Sequence, residues 1–317
     1  MKKSDVQNLL GGGWPDPPDL YTEITDSLDM GDYRAEKISY QLEPGERTEA
    51  WLLIPKSSAG NTATPYPAVA VWHQHNNEYG LGKAESAGFA GNPMHHTGPL
   101  LAREGYVVLC PDALGFESRQ HAGLDGPSYE RHMAMRYVVQ GKSLAWKNIL
   151  DNRRALDYLC SRSDVDNTRL GCYGHSLGST FTWLTGPWDE RLKCMVGNCC
   201  MPSQAAMDGT AINHSFSNYI PGLRSIGDIP DYVALCAPRR LHLNFGAADE
   251  LNPVEYLERE LPQIAGMYRE AGVEEAFSWY IDRDAGHELS QSMKDVMLNV
   301  FRDNLQLPGD SPGTDYL

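Results

Sequence analysis

Ten residues near the middle of the chain restrict its fold more than any other stretch: Arg169-Leu170-Gly171-Cys172-Tyr173-Gly174-His175-Ser176-Leu177-Gly178. They read as a buried strand that turns sharply into a helix. Gly174, Ser176 and Gly178 spell G-x-S-x-G, the nucleophile elbow. A side chain at 174 or 178 would collide where strand and helix pass each other, and the turn needs backbone angles that small residues adopt cheaply. Such a turn pushes the Ser176 hydroxyl into the open and aims a helix N-terminus at whatever it attacks. A tight strand–helix turn with an exposed serine would also satisfy so short a pattern. Context selects the catalytic reading, with a strand pattern over 168–173 and a mostly apolar helix pattern over 177–184.

The same alternation recurs along the chain. Residues 68–72, 106–110, 194–200, 240–245 and 277–281 read as strands, the most continuous of them apolar enough to be covered on both faces. Helical spacing marks 143–161 through Ala145, Ile149, Leu156 and Cys160, then Leu257 to Tyr268, then Met293, Val296, Met297, Val300 and Phe301. Residues 36–42 and 48–54 flank the turn Glu43-Pro44-Gly45-Glu46 and predict an antiparallel hairpin. The fold class is therefore α/β, with a mostly parallel central sheet, helices on both faces and an N-terminal antiparallel hairpin. One domain is expected over 36–306. Residues 1–35, centred on Gly11-Gly12-Gly13-Trp14-Pro15-Asp16-Pro17-Pro18, predict an irregular arm, and 307–317 a loose tail. The alternation breaks near 117–141 and 205–230, and these excursions are expected to wall the pocket.

The formal net charge of -15 argues against nucleic acid or an anionic membrane as a partner, since both need clustered Lys and Arg. No apolar run approaches a membrane span. Lys2-Lys3 is not followed by a signal-peptide core, and the seven cysteines lack C-x-x-C spacing. A cytoplasmic setting with reduced thiols is expected, and a homo-oligomer formed through the N-terminal arm is the expected protein partnership.

A serine hydroxyl needs a base within hydrogen-bond reach. Catalytic groups gather at the carboxyl ends of strands in open α/β sheets, which selects His287 after the 277–281 strand from the ten histidines. Asp249, just past the 240–245 strand, is the acid that would orient His287, with Glu250 next to it as a substitute. The developing oxyanion needs two backbone donors, expected from Leu177 and from His75 in the loop after 68–72, with Gln74 as the fallback for the second. Gln74, His175, Tyr129, Arg131, His132, Phe216 and Tyr219 are the candidate substrate-binding residues. The His73-x-His75 pair near Glu78, His95 and His96 raises a metal set, but its spacing matches no zinc signature, and neither metal nor cofactor is expected.

Taken in order, Trp72-His73-Gln74-His75, Pro111-Asp112-Ala113-Leu114-Gly115, Gly174-His175-Ser176-Leu177-Gly178, Gly246-Ala247-Ala248-Asp249-Glu250 and Gly286-His287-Glu288 resemble the α/β-hydrolases. They are most similar to the dienelactone hydrolase and acetyl-xylan-esterase-like branch, over about 36–306. The resemblance implies the α/β-hydrolase fold, a triad of Ser176, Asp249 and His287, and no cofactor. Dienelactone hydrolases proper use a cysteine nucleophile, so Ser176 points to the esterase side. Gln74 in place of a glycine and Ser179 in place of a second one are departures. The expected function is hydrolysis of a small carboxylic ester. An amidase or peptidase with the same triad is the alternative, followed by a ligand-binding protein without catalysis on this fold.

Overall fold

The computed structural model describes residues 1–56 and 65–306; the tail expected over 307–317 and residues 57–64, between the 48–54 and 68–72 strand patterns, lie outside the described residues. Nine strands form one sheet: β1 (Glu23–Asp29), β2 (Tyr33–Glu43), β3 (Glu46–Pro55), β4 (Tyr66–Trp72), β5 (Val107–Pro111), β6 (Val165–His175), β7 (Leu192–Asn198), β8 (Arg240–Gly246) and β9 (Phe277–Asp282). Their order is β1-β2-β3-β5-β4-β6-β7-β8-β9. β1, β2, β3 and β5 pair antiparallel, and everything from β5 through β4 to β9 is parallel.

The apolar run of β4 is continuous because the sheet has a core on each side. Ala68, Ala70 and Trp72 join one hydrophobic core, while Val69 and Val71 join the other. Helices α1 (Lys3–Leu10), α2 (Lys83–Ser86), α3 (Thr97–Arg103), α4 (Gly126–Val139) and α5 (Leu144–Cys160) precede the elbow. Helices α6 (Leu177–Thr185), α7 (Gln204–Thr210), α8 (Ile229–Val233), α9 (Val254–Glu270) and α10 (Gln291–Leu305) follow it. α5, α6 and α9 bury Trp146, Phe181 and Leu261 on the β4 Trp72 side; α3 and α10 bury Leu101, Met297 and Phe301 on the other. Each such side chain contributes about 1.5–3 kcal/mol when taken out of water.

The chain runs from β4 to its neighbour on one side, β5, then crosses back to β6 on the other. The loops after β4 and β6 therefore leave in opposite directions and open a crevice at the carboxyl ends of these two strands, where α/β sheets bind ligands. Trp72 is in register with Gly174 across that pair, so His75 and Ser176 follow strand ends at the same level.

Three expectations need correction. Residues 1–35 are not an irregular arm. Val6 and Leu10 of α1 are buried, and Gly11 ends the helix at φ 118°. β1 pairs with β2 along its backbone while every residue it carries is exposed, so it has no apolar alternation to betray it. Within the 117–141 excursion, α4 starts at an Asp125 cap whose carboxylate accepts the Ser128 N–H at 2.8 Å. Its buried face is Glu130, Ala134 and Tyr137, which hides the helical period behind a charge. Finally, β7 stops at Asn198, because Cys199 turns out of the sheet at φ 54°.

Candidate active site

Ser176 sits between β6 and α6 with φ 54° and ψ -114°, a backbone conformation that L residues hold only under constraint. Its neighbours supply the constraint. A Cβ on Gly174 would lie 2.1 Å from the backbone carbon of Gly178, and one on Gly178 would lie 2.1 Å from the Trp72 carbonyl oxygen. The Ser176 N–H donates to the Asn198 carbonyl at 2.8 Å, tying the turn to the end of β7. Leu177 opens α6, so its N–H belongs to the first turn, which has no intrahelical acceptor.

Two further strand ends converge on this serine. His287 Nε2 lies 2.9 Å from Ser176 Oγ, and His287 Nδ1 lies 2.8 Å from Asp249 Oδ2. Asp249 is 2% exposed and is fixed from below. The Leu251 N–H donates to its Oδ1 at 2.9 Å, and Asn252 Nδ2 donates to its Oδ2 at 3.0 Å. The loops after β8 and β9 are laced together by Ala247 N–H to Asp282 O at 2.8 Å and Ala248 N–H to Ala285 O at 2.9 Å. A carboxylate facing Nδ1 holds the proton there and leaves Nε2 free to accept from the serine hydroxyl.

Behind His287 stand two more imidazoles. The His175 ring is 5.1 Å from that of His287 and 4.7 Å from that of His95. Burial holds His175 well below the ordinary histidine range, and lowers His95 too. Asn198 Nδ2 donates to His175 Nδ1 at 2.8 Å and to the Glu288 carbonyl at 3.0 Å, so Asn198 ties the elbow residue to the His287 loop. His214, from the second excursion, is also near the triad; burial, followed by the His287 charge, pushes it down to about 4. Asp249, His287 and Cys199 offer donor atoms within 4.8 Å of one another. Two of these are already engaged with each other, and burial pushes the Cys199 thiol up, keeping it protonated.

The His73-x-His75 pair has its nitrogens engaged elsewhere. His73 Nδ1 donates to the Gln74 carbonyl at 2.7 Å and Nε2 accepts the Ala113 N–H at 3.0 Å. His75 Nδ1 accepts the Asn77 N–H at 3.0 Å, and Nε2 faces Glu130 at 3.1 Å. Both rings shape the loop after β4.

A cleft of about 390 Å³ opens beside His287, lined among others by Gln74, Asn76, Glu85, Met94 and His95. Of the expected substrate-binding residues, Gln74 lines it, with its Nε2 donating to Glu85 Oε2 at 2.8 Å. His175 is buried behind the triad. Tyr129 on α4 packs against His121, which precedes the helix, whereas Arg131 and His132 face solvent from α4. Phe216 is half-buried, Tyr219 is exposed, and neither lines this cleft. Glu85, Asn92 and Met94 come from a stretch of mixed composition with no spacing signal, and Asn198 and Asn252 reach the triad only through the fold.

Residues 83–214 match the dienelactone hydrolase family. The "Putative hydrolase YtaP" of Bacillus subtilis (strain 168) is 28% identical over 282 residues, covering 87% of this chain and 90% of that protein. A putative acetyl xylan esterase from Bacteroides fragilis NCTC 9343 superposes with a TM-score of 0.69 at 17% identity, over 97% of this chain and 82% of that one. A glucuronoyl esterase from Solibacter usitatus gives 0.68 at 16% identity, over 94% and 90%. Sheet order, elbow and superpositions define the fold, which is that of the α/β-hydrolases. The likeness to the dienelactone hydrolase family spans the elbow, and with the hydrolase of Bacillus subtilis it is in line with the hydrolase expected from the sequence. Among the described residues, no helix is long and apolar enough to cross a membrane.

Proposed function

We propose that the protein cleaves a carboxylic ester through an acyl-enzyme on Ser176. The observation that carries this reading is the unbroken hydrogen-bonded chain from Asp249 through His287 to Ser176 Oγ, at 2.8 and 2.9 Å. Ser176 Oγ attacks the ester carbonyl carbon while its proton passes to His287 Nε2. The carbonyl electrons move onto oxygen, which the backbone N–H groups of Leu177 and His75 receive. Collapse of the tetrahedral adduct expels the alcohol, protonated by His287. Water, deprotonated by the same ring, then releases the acid and restores the serine. Asp249 holds the ring and balances its charge.

The wall beside His287, with its amides, carboxylates and imidazoles, supports an ester with a polar partner group. The similar structures named for esterases favour an ester over an amide. The seven cysteines, all unpaired, support a reducing, cytoplasmic setting. A fluorophosphonate should label Ser176 in the folded wild type and leave Ser176→Ala unlabelled. Paired short-chain ester and anilide substrates should show cleavage of the ester at the higher rate; the reverse preference would turn the reading to an amidase.

A further inference from the structure

The loop after β4 is held by a carboxylate from a different element. Glu130, on the inner side of α4, is 7% exposed. Its Oε2 accepts hydrogen bonds from Tyr79 Oη at 2.6 Å and from His75 Nε2 at 3.1 Å. Because His75 Nδ1 accepts the Asn77 N–H, the ring carries its proton on Nε2, aimed at Glu130. Tyr79 Oη and His75 Nε2 are 3.2 Å apart, which closes a triangle around one carboxylate oxygen. The aromatic faces lock the same group. Tyr79 stacks on Phe116 at 4.7 Å between centroids, and His75 meets both rings edge-on at 4.9 and 5.1 Å.

Burial alone would raise the Glu130 pKa. The donors from His75 and Tyr79, with the backbone N–H of Phe216 from the second excursion, outweigh it and hold the carboxyl below its ordinary value. One ionised group thus joins the loop after β4, α4 and the 205–230 excursion. Charge-assisted bonds of this kind are about twice as strong as neutral ones, so an amide at 130 would hold the loop less firmly.

We propose that Glu130 is a positioning residue for ester hydrolysis: by fixing the His75 ring it fixes the backbone N–H of the same residue, which receives the oxyanion. This rests on the acyl-enzyme reading above. An N–H that is displaced rather than deleted weakens the transition state more than the bound ester, because the charge on oxygen appears only there.

The test compares wild type, Glu130→Gln, Tyr79→Phe and Ser176→Ala with a short-chain ester and an alkyl boronic acid, which forms a tetrahedral adduct with an active serine. For Glu130→Gln, kcat should fall about ten- to hundredfold with KM within about twofold, and boronate affinity should fall by a similar factor. Tyr79→Phe removes one donor to the same oxygen and should move kcat and boronate affinity in the same direction by a smaller factor. A folded Glu130→Gln with wild-type kcat, a rise in KM alone, or a kcat loss without loss of boronate affinity overturns the proposal. If Glu130→Gln does not fold, Tyr79→Phe decides, and unchanged kcat and boronate affinity overturn it. Ser176→Ala separates the two ideas. An active Ser176→Ala ends the acyl-enzyme reading, whereas an inactive Ser176→Ala beside a fully active Glu130→Gln ends only the role of Glu130.

Discussion

On one side of the crevice, the position of Ser176 is set by backbone pressed on backbone. Gly174 lies against Gly178, Gly178 against the Trp72 carbonyl, and the turn has no room to relax. On the other side, the loop carrying His75 is held by side chains from afar. His73 reaches Ala113, His75 reaches Glu130, and Gln74 reaches Glu85. Beneath that loop Lys83 is buried with its Nζ 2.8 Å from Asp112 Oδ2, 2.6 Å from Glu117 Oε1 and 3.2 Å from Glu49 Oε2. The difference teaches that Ser176 is placed by sterics, which tolerate no substitution, and the His75 loop by polar bonds, which can be weakened in steps.

Substitutions on either side test that contrast. Ser176→Ala removes the hydroxyl proposed to attack, and kcat on an ester should drop on the order of 10⁶-fold, measured with stopped assays and a fluorophosphonate control. Asp249→Asn keeps the shape but frees the His287 tautomer, for an expected fall of about 10⁴-fold in kcat with little change in KM. Gly178→Ala pushes a methyl into the Trp72 carbonyl at 2.1 Å, a contact neither backbone can yield. It should cost on the order of 5 kcal/mol in denaturant unfolding, above the range for an added core methylene. If Gly178→Ala is instead neutral, the steric account of the elbow is wrong.

Lys83→Met leaves Asp112 and Glu117 without their buried cation and should cost about 3 kcal/mol. Its activity should decline gradually rather than vanish, because the elbow is untouched. The smallest effect expected lies outside both regions. Burial raises Glu260 on α9 to about 7, while Ser203 Oγ donates to its Oε1 at 2.6 Å. In the folded state Glu260 keeps its proton beyond the unfolded value near 4.5. Its contribution is therefore complete below that value and is lost as pH rises through about 7. Glu260→Gln should flatten the stability-versus-pH curve over that window by on the order of 1 kcal/mol and leave kcat unchanged.

The legibility of the molecule divides along the same line. Strands covered on both faces and the glycine-framed turn are written in adjacent residues, so β4 to β8 and the approximate positions of most helices around them could be read from composition and period. The sequence also pointed to Ser176, Asp249 and His287, which the fold brings within hydrogen-bond distance. What stayed hidden depends on partners far along the chain. α4 buries a glutamate where an apolar residue would have marked its inner face, and the purpose of Glu130 exists only once His75 and Tyr79 are beside it. β1 offers solvent-facing side chains on every position, so only its ladder to β2 defines it. The cleft wall from Glu85 to His95 is held by single hydrogen bonds, with Glu85 accepting from the Asn92 N–H at 3.0 Å and from Gln74 Nε2 at 2.8 Å, so it carries no period to read.

The amino-terminal segment has its own consequence. The indole N–H of Trp14 donates to the Trp146 carbonyl at 3.0 Å, and that of Trp146 returns a bond to the Gly13 carbonyl at 3.2 Å. With the Ser143 N–H on the Leu10 carbonyl at 3.0 Å, the segment is buttoned onto the start of α5 by three separate fastenings. A cut between Trp14 and the first strand would leave the clasp in place but detach it from the sheet. Trp14, 5.2 Å from Trp188, would then report by its fluorescence whether the button stays closed.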